Sequence, residues 1–124
     1  MELVFLGSGT SYGVPMIGCR CEVCTSSDPR NRRTRASVLF RWDGHSVLVD
    51  TTPELRLQLL AADIDTIDAV LYTHAHADHL HGLDDLRGVS RTHGAINLYA
   101  DERTAGVIRT SFSYLFDGEE YPSE

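Results

Sequence analysis

Four histidines and an aspartate crowd into eight residues of Thr73-His74-Ala75-His76-Ala77-Asp78-His79-Leu80-His81-Gly82. Directly before them runs a short apolar segment, residues 67–72 (Ile-Asp-Ala-Val-Leu-Tyr), with the composition of a buried strand. The chain must therefore end a strand in a loop crowded with imidazoles. His74 and His76 are two apart, so on an extended strand end they project to the same side. Two imidazoles, a carboxylate and a third imidazole at this spacing can bind two adjacent metal ions, with His74 and His76 on one and Asp78 and His79 on the other. Ala75 and Ala77 are too small to obstruct the loop, and Gly82 is expected to let the backbone turn tightly after it. A solvated polar loop is the competing reading, but four histidines in eight residues after a buried strand speak against it.

The rest of the chain alternates strand and helix signals. Residues 3–6 read as a strand that ends at Gly7 and opens into a Gly- and Ser-rich loop, residues 7–15. Residues 36–42 and 45–50 read as two strands joined by Asp43-Gly44, a strong hairpin signal. Thr51-Thr52-Pro53-Glu54 reads as a helix start with Thr52 as cap, followed by an apolar face of Leu55, Leu59 and Leu60 to which Leu57 adds. Residues 95–100 read as a further strand, and a helix opens at Asp101-Glu102 and runs to about residue 114 or 116. Tyr72 and Tyr99 fall inside strands and read as core residues. The order predicts an α/β domain with a mixed sheet and helices on one face only, which leaves the other face without a cover.

At 124 residues the chain suits one domain, and its 42% hydrophobic content suffices for a packed core. No apolar run approaches the roughly 20 residues of a membrane span, and the N-terminus has neither a basic region nor an apolar stretch of secretory type. A cytoplasmic location is expected. The formal net charge of −7 argues against nucleic acid as a partner, yet it leaves phosphate-bearing substrates open because a bound metal supplies local positive charge. All 11 basic residues are Arg, and Arg20, Arg30, Arg32, Arg33, Arg35 and Arg41 are concentrated in the N-terminal third. That segregation reads either as a solvated loop or as a phosphate-facing patch. Cys19, Cys21 and Cys24 lie within six residues, too close for easy disulfides, and their thiolates can converge on a structural Zn²⁺ that would need one further ligand. Three free thiols are the alternative.

His-x-His-x-Asp-His after a strand resembles the signature of the metallo-β-lactamase-fold hydrolases. Asp50, closing Leu48-Val49-Asp50-Thr51, is similar to the acidic residue that supports the metal site of that superfamily from behind without ligating it. The opening Gly7-Ser8-Gly9-Thr10-Ser11, the Cys-x-Cys-x-x-Cys loop and His81-Gly82-Leu83-Asp84-Asp85-Leu86-Arg87 together resemble the phosphoribosyl 1,2-cyclic phosphate phosphodiesterase branch. The superfamily domain is a four-layer αβ/βα sandwich of roughly twice this length. The resemblance therefore implies that residues 1–124 are the N-terminal part of a single such domain, half of the sandwich and incomplete as an enzyme alone. The remaining active-site ligands, and a distant histidine completing the cysteine zinc site, would lie in the other half.

The implied activity is metal-dependent hydrolysis of a small, cyclic phosphodiester. Two divalent ions, Zn²⁺ or Mn²⁺, clamp a bridging hydroxide, held here by His74, His76, Asp78 and His79. Asp78 and His81 are the catalytic candidates, His81 because its pKa range suits a proton donor to the leaving alkoxide; its other reading is an exposed loop residue. Asp84, Asp85 and Arg87 are expected to tie the next helix to the loop, with phosphate binding the alternative for Arg87. A tRNA 3′-processing-type nuclease, a thioester or lactone hydrolase of the same fold, and an inactive metal-binding fragment are the other functions this pattern admits. No membrane partner is expected, and the uncovered sheet face invites a homodimer.

Overall fold

The structure, a computed structural model, describes residues 1–117. Five strands form one sheet in sequence order: β1 (Glu2–Gly7), β2 (Ser37–Trp42), β3 (His45–Val49), β4 (Ala69–Leu71) and β5 (Asn97–Tyr99). The first three pair antiparallel, whereas β3–β4 and β4–β5 are parallel. The hairpin between β2 and β3 turns on Asp43 and Gly44, both left-handed with φ of 47° and 83°, the conformation that suits a two-residue hairpin loop. The two parallel connections carry the helices: α1 (Leu55–Ala61) between β3 and β4, then α2 (Ala77–Leu80) and α3 (Leu86–His93) between β4 and β5. Helix α4 (Glu102–Ser111) follows β5, and the Asp101 carboxylate caps it by accepting from the Thr104 backbone N–H at 2.7 Å.

One face of the sheet is packed. Leu39, Leu48 and Val70 from the strands meet Leu55 and Leu59 of α1, Leu80 of α2, Leu86 of α3 and Ile108 of α4. Leu39, Leu48, Leu55, Val70 and Leu80 are wholly buried, each contributing about 1.5–3 kcal/mol of transfer free energy. No helix among the described residues is long and apolar enough to cross a membrane.

Three local expectations are corrected. Helix α1 starts at Leu55, later than the Thr-Pro signal suggested, and Thr52 does not cap it: the Thr52 hydroxyl donates instead to the Gln58 side chain at 2.9 Å. The buried stripe of α1 is Leu55, Gln58 and Leu59, with i, i+3, i+4 spacing, so Leu57 and Leu60 fall on its solvent side. Gln58 is satisfied at that depth because its amide also donates to the Thr34 hydroxyl and the Arg35 carbonyl. Tyr99 is not a core residue. It pairs with Leu71 on the face away from the helices and is 56% exposed.

That second face is apolar and bare. Strand register places Leu3 beside Phe40, Phe5 beside Val38, and Leu71 between Val49 and Tyr99, all pointing away from the packed side. Phe5 is 70% exposed. An apolar surface of this continuity promotes self-association. The double change Phe5→Ser with Tyr99→Ser should abolish binding of a hydrophobic dye and any concentration-dependent association in sedimentation. The circular dichroism spectrum should stay unchanged, since neither side chain is buried.

Candidate metal centre

The site forms where β3 and β4 end side by side. Val49 pairs with Leu71, and the Asp50 N–H still donates to the Leu71 carbonyl at 3.0 Å before the chain turns away. Asp50 makes that turn in the left-handed region, φ 60°, which a short polar residue tolerates better than an apolar one. Its carboxylate, on a residue only 4% exposed, accepts three hydrogen bonds. Oδ1 accepts from the Thr73 backbone N–H at 2.8 Å; Oδ2 accepts from the Thr73 hydroxyl at 2.7 Å and from His79 Nδ1–H at 2.7 Å.

This network sets the tautomers of two imidazoles. A carboxylate only accepts, so His79 carries its proton on Nδ1 and leaves Nε2 with a lone pair. The Thr73 hydroxyl has a single hydrogen, already given to Asp50. Its oxygen therefore accepts from His74 Nδ1, 2.9 Å away, and His74 Nε2 is likewise left bare. One buried carboxylate thus prepares two nitrogens as metal ligands, the arrangement in which a non-ligating partner orients a ligating histidine.

The rings converge as their spacing predicted. His74 lies 4.6 Å from His76 in an edge-to-face arrangement and 4.1 Å from His79, centroid to centroid. Asp78 Oδ2 is 3.3 Å from His79 Nε2. Asp78 and His79 sit on the single-turn helix α2, not in an open turn. Three neighbouring imidazoles and a carboxylate, two of the rings in the ligating tautomer, are a donor set whose chemistry suits divalent ions, although their ligand atoms are not drawn within 4.8 Å of one another as those of the cysteines are. His81 stands apart: it is exposed just beyond α2, and its ring contact is with Phe112 at 6.1 Å.

The loop is pinned from beneath. The Thr51 N–H donates to the His79 carbonyl at 2.8 Å, and the Gly82 N–H to the Thr51 carbonyl at 3.0 Å. The Thr51 hydroxyl donates to the Leu80 carbonyl and accepts from the Tyr72 hydroxyl, all three residues being buried. Burial pushes the Tyr72 phenol well above its ordinary range, and its hydrogen bond to the Thr51 oxygen only partly offsets that. Gly82 is required by close approach, not by its own dihedral angles: a Cβ there would stand 1.9 Å from the Thr52 carbonyl oxygen. Arg87 pairs with Asp84 at 2.9 Å, Tyr114 donates to the same carboxylate at 2.8 Å, and Asp85 accepts from the Arg56 N–H. These are ties between loop and helices, as expected. Thr73 and Thr51 escaped sequence reasoning; a hydroxyl immediately before a His-x-His pair was the one available signal for Thr73.

The second candidate cluster is also assembled. The sulfurs of Cys19, Cys21 and Cys24 lie within 4.8 Å of one another, all as free thiols. The Cys24 backbone N–H and the neighbouring thiols pull Cys21 down to about 7, which favours the thiolate that binds metal. Among the described residues the group comprises these three.

A family profile described as Beta-lactamase superfamily domain matches residues 45–124. An octanoyltransferase of Porphyromonas gingivalis is 46% identical over 98% of this chain and 25% of that protein. A crystal structure of a new diphosphatase from the PhnP family superposes with a TM-score of 0.88 at 52% identity, over 98% of this chain and 50% of the other. Zn²⁺-bound PqqB from Methylobacterium extorquens superposes with a TM-score of 0.70 at 29% identity, over 91% and 40%. The chain thus spans between a quarter and a half of the proteins it matches.

Two substitutions test the geometry. Thr73→Val should release His74 into a mixture of tautomers, visible in the imidazole ¹⁵N shifts, and weaken binding of Zn²⁺ by about tenfold, within the range that supporting partners contribute; Thr73→Ser should restore both. Gly82→Ala should lower stability by about 3 kcal/mol in chemical denaturation, because the backbone must give way around the Thr52 carbonyl.

Proposed function

The chain belongs to the beta-lactamase superfamily, and from that membership we propose that it supplies the N-terminal share of a metal-dependent hydrolase acting on a small phosphodiester, cyclic ones included. The observation that carries this reading is the Asp50–Thr73 network, which leaves Nε2 of both His74 and His79 unprotonated in rings 4.1 Å apart, with Asp78 Oδ2 3.3 Å from His79 Nε2. The likeness to a diphosphatase of the PhnP family supports bond cleavage at phosphorus, and the Zn²⁺-bound PqqB supports zinc as a resident ion, with manganese the alternative. The octanoyltransferase is matched over only a quarter of its length, and imidazoles with a carboxylate suit metal-assisted hydrolysis better than acyl transfer.

His74 and His76 would hold one divalent ion and Asp78 and His79 the other; when bound, the pair supplies Lewis acidity toward the phosphoryl group and an activated water. The protein's own work is positioning. Asp50 keeps His79 and, through Thr73, His74 in fixed orientation, so no reorganisation is needed when charge builds at phosphorus. His81, exposed one residue beyond α2, would hand a proton to the departing alkoxide. Cys19, Cys21 and Cys24 would hold a structural zinc that anchors the loop following the Gly-rich segment.

The test is a chimera in which these residues are followed by the second half of the PhnP-family diphosphatase. Loaded with Zn²⁺ or Mn²⁺, it should hydrolyse bis(p-nitrophenyl) phosphate, and His76→Ala should cut the rate at least about 100-fold and lower the bound metal. The 124-residue chain alone should hold metal weakly and turn over little. Equal rates for the chain and the chimera, or an unchanged His76→Ala variant, would overturn the proposal.

A further inference from the structure

A network of buried polar side chains runs from the Gly-rich loop to the segment beneath the histidines, and Gln58 stands at its centre. Gln58 is 3% exposed and Thr52 is wholly buried. The amide has one permitted orientation. The Arg35 carbonyl only accepts, so the atom facing it at 2.9 Å is Nε2, which also donates to the Thr34 hydroxyl at 3.0 Å. Oε1 is thereby turned to Thr52, and the Thr52 hydroxyl must donate to it, at 2.9 Å. The Thr34 hydroxyl passes its own hydrogen to the Leu6 carbonyl at 3.2 Å. Both amide hydrogens and the amide oxygen are engaged, as their burial demands.

The network meets a loop at each end. At one end Gly7, where β1 gives way to the Gly-rich loop, lies directly on the amide. A Cβ there would stand 2.0 Å from the Arg35 carbonyl oxygen and 2.6 Å from both Gln58 Nε2 and Thr34 Oγ1, so glycine is the residue that fits. One turn earlier on the same side of α1, Glu54 pairs with Arg35, whose Nε donates to the Ser11 carbonyl of that loop at 2.7 Å. At the other end Thr52 is two residues from Asp50. The segment 50–52 is bonded to the histidine loop through the Asp50 carboxylate and through the Thr51 N–H and hydroxyl, and the Thr52 carbonyl lies against Gly82. Those bonds by themselves would let segment and loop shift as one body. The Ser37 hydroxyl, which donates to the Asp50 carbonyl at 3.0 Å, and the Thr52–Gln58 bond tie the segment to the rest of the fold instead.

We propose that Gln58 is a positioning residue for the histidine centre: through Thr52 it fixes the segment that aims the Asp50 carboxylate, and through Thr34 and Arg35 it fixes the root of the Gly-rich loop in the same frame. It acts on the imidazoles only through Asp50, as a partner behind a partner. Gln58 also withholds Thr52 from the capping role that its place before α1 would give it. Without Gln58, the Thr52 hydroxyl is free to turn to the N–H groups of the first turn of α1, drawing the backbone at 51–52 toward the helix and spoiling the aim of Asp50. The inference rests on the histidine centre being the functional site, and not on which bond that site cuts.

The experiment reads the imidazole ¹⁵N shifts of the metal-free, labelled chain, so that no ion at the histidines or the cysteines enters the result. Thr52→Val removes the hydroxyl and keeps the branched shape; His74 and His79 should each lose their single tautomer and give a mixture. Thr52→Ser should restore the original signals, and Gln58→Met should reproduce the Thr52→Val spectrum. Ile108→Val, a core change that lowers stability without touching the network, should leave the imidazoles unmoved. Unshifted amides of Leu48 and Val70 identify a folded chain, and Thr52→Val decides the matter where Gln58→Met does not fold. Unmoved imidazoles in folded Thr52→Val, a Thr52→Ser variant that fails to restore them, or an Ile108→Val variant that moves them as far would each overturn the role of Gln58. A failed hydrolysis test, with imidazoles that follow Thr52 and Gln58 as expected, would instead place the fault in the phosphodiester reading.

Discussion

The Asp50 carboxylate carries the candidate site. It is buried, and a buried carboxylate is costly unless its oxygens are met by donors. Here all the donors come from the histidine loop: the N–H and hydroxyl of Thr73 and the Nδ1–H of His79. The demand of one charge for partners therefore shapes the loop, and the loop's imidazoles are aimed as a by-product. The left-handed turn at Asp50 is part of the same arrangement: it lifts the carboxylate off the strand end at a cost of about 1–2 kcal/mol, and three charge-assisted hydrogen bonds more than offset that.

Sheet topology decides which chain segments can meet there. Because β3 and β4 run parallel, their carboxyl ends lie side by side and release Asp50 and Thr73 into the same space. The antiparallel partner β1 runs in the same direction as β3, so its end, with the Gly-rich loop, arrives at that edge too. Open sheets bind ligands outside the carboxyl ends of their strands for this reason. Helices α1, α3 and α4 pack on the opposite side from Phe5 and Tyr99, and the single-turn α2 carries Asp78 and His79 to this edge.

Much of this was legible in the residues, and the limits are instructive. The Asp43-Gly44 hairpin, the strand before the histidines and the convergence of His74, His76 and His79 follow from local rules of turn geometry and period-two alternation. The start of α1 was misplaced because Thr52 had a tertiary partner, Gln58, that outcompeted its capping role; no local rule sees across that gap. Tyr99 was misjudged because both faces of a short strand look alike when both are apolar. The tautomer relay through Thr73 was invisible for a different reason. It depends on a contact between positions 50 and 73 that exists only once two parallel strands are in register.

The residues that aim the imidazoles, from Asp50 to Gly82, all belong to one strand–helix–strand crossover and the loop that leaves it. The crossover helix α1 is short, and the ring closed between Asp50 and His79 costs only slightly more entropy than a loop half as long. The hydrogen bonds that aim the candidate metal patch thus lie within residues 50–82, and they draw nothing from the sheet face that carries Phe5 and Tyr99.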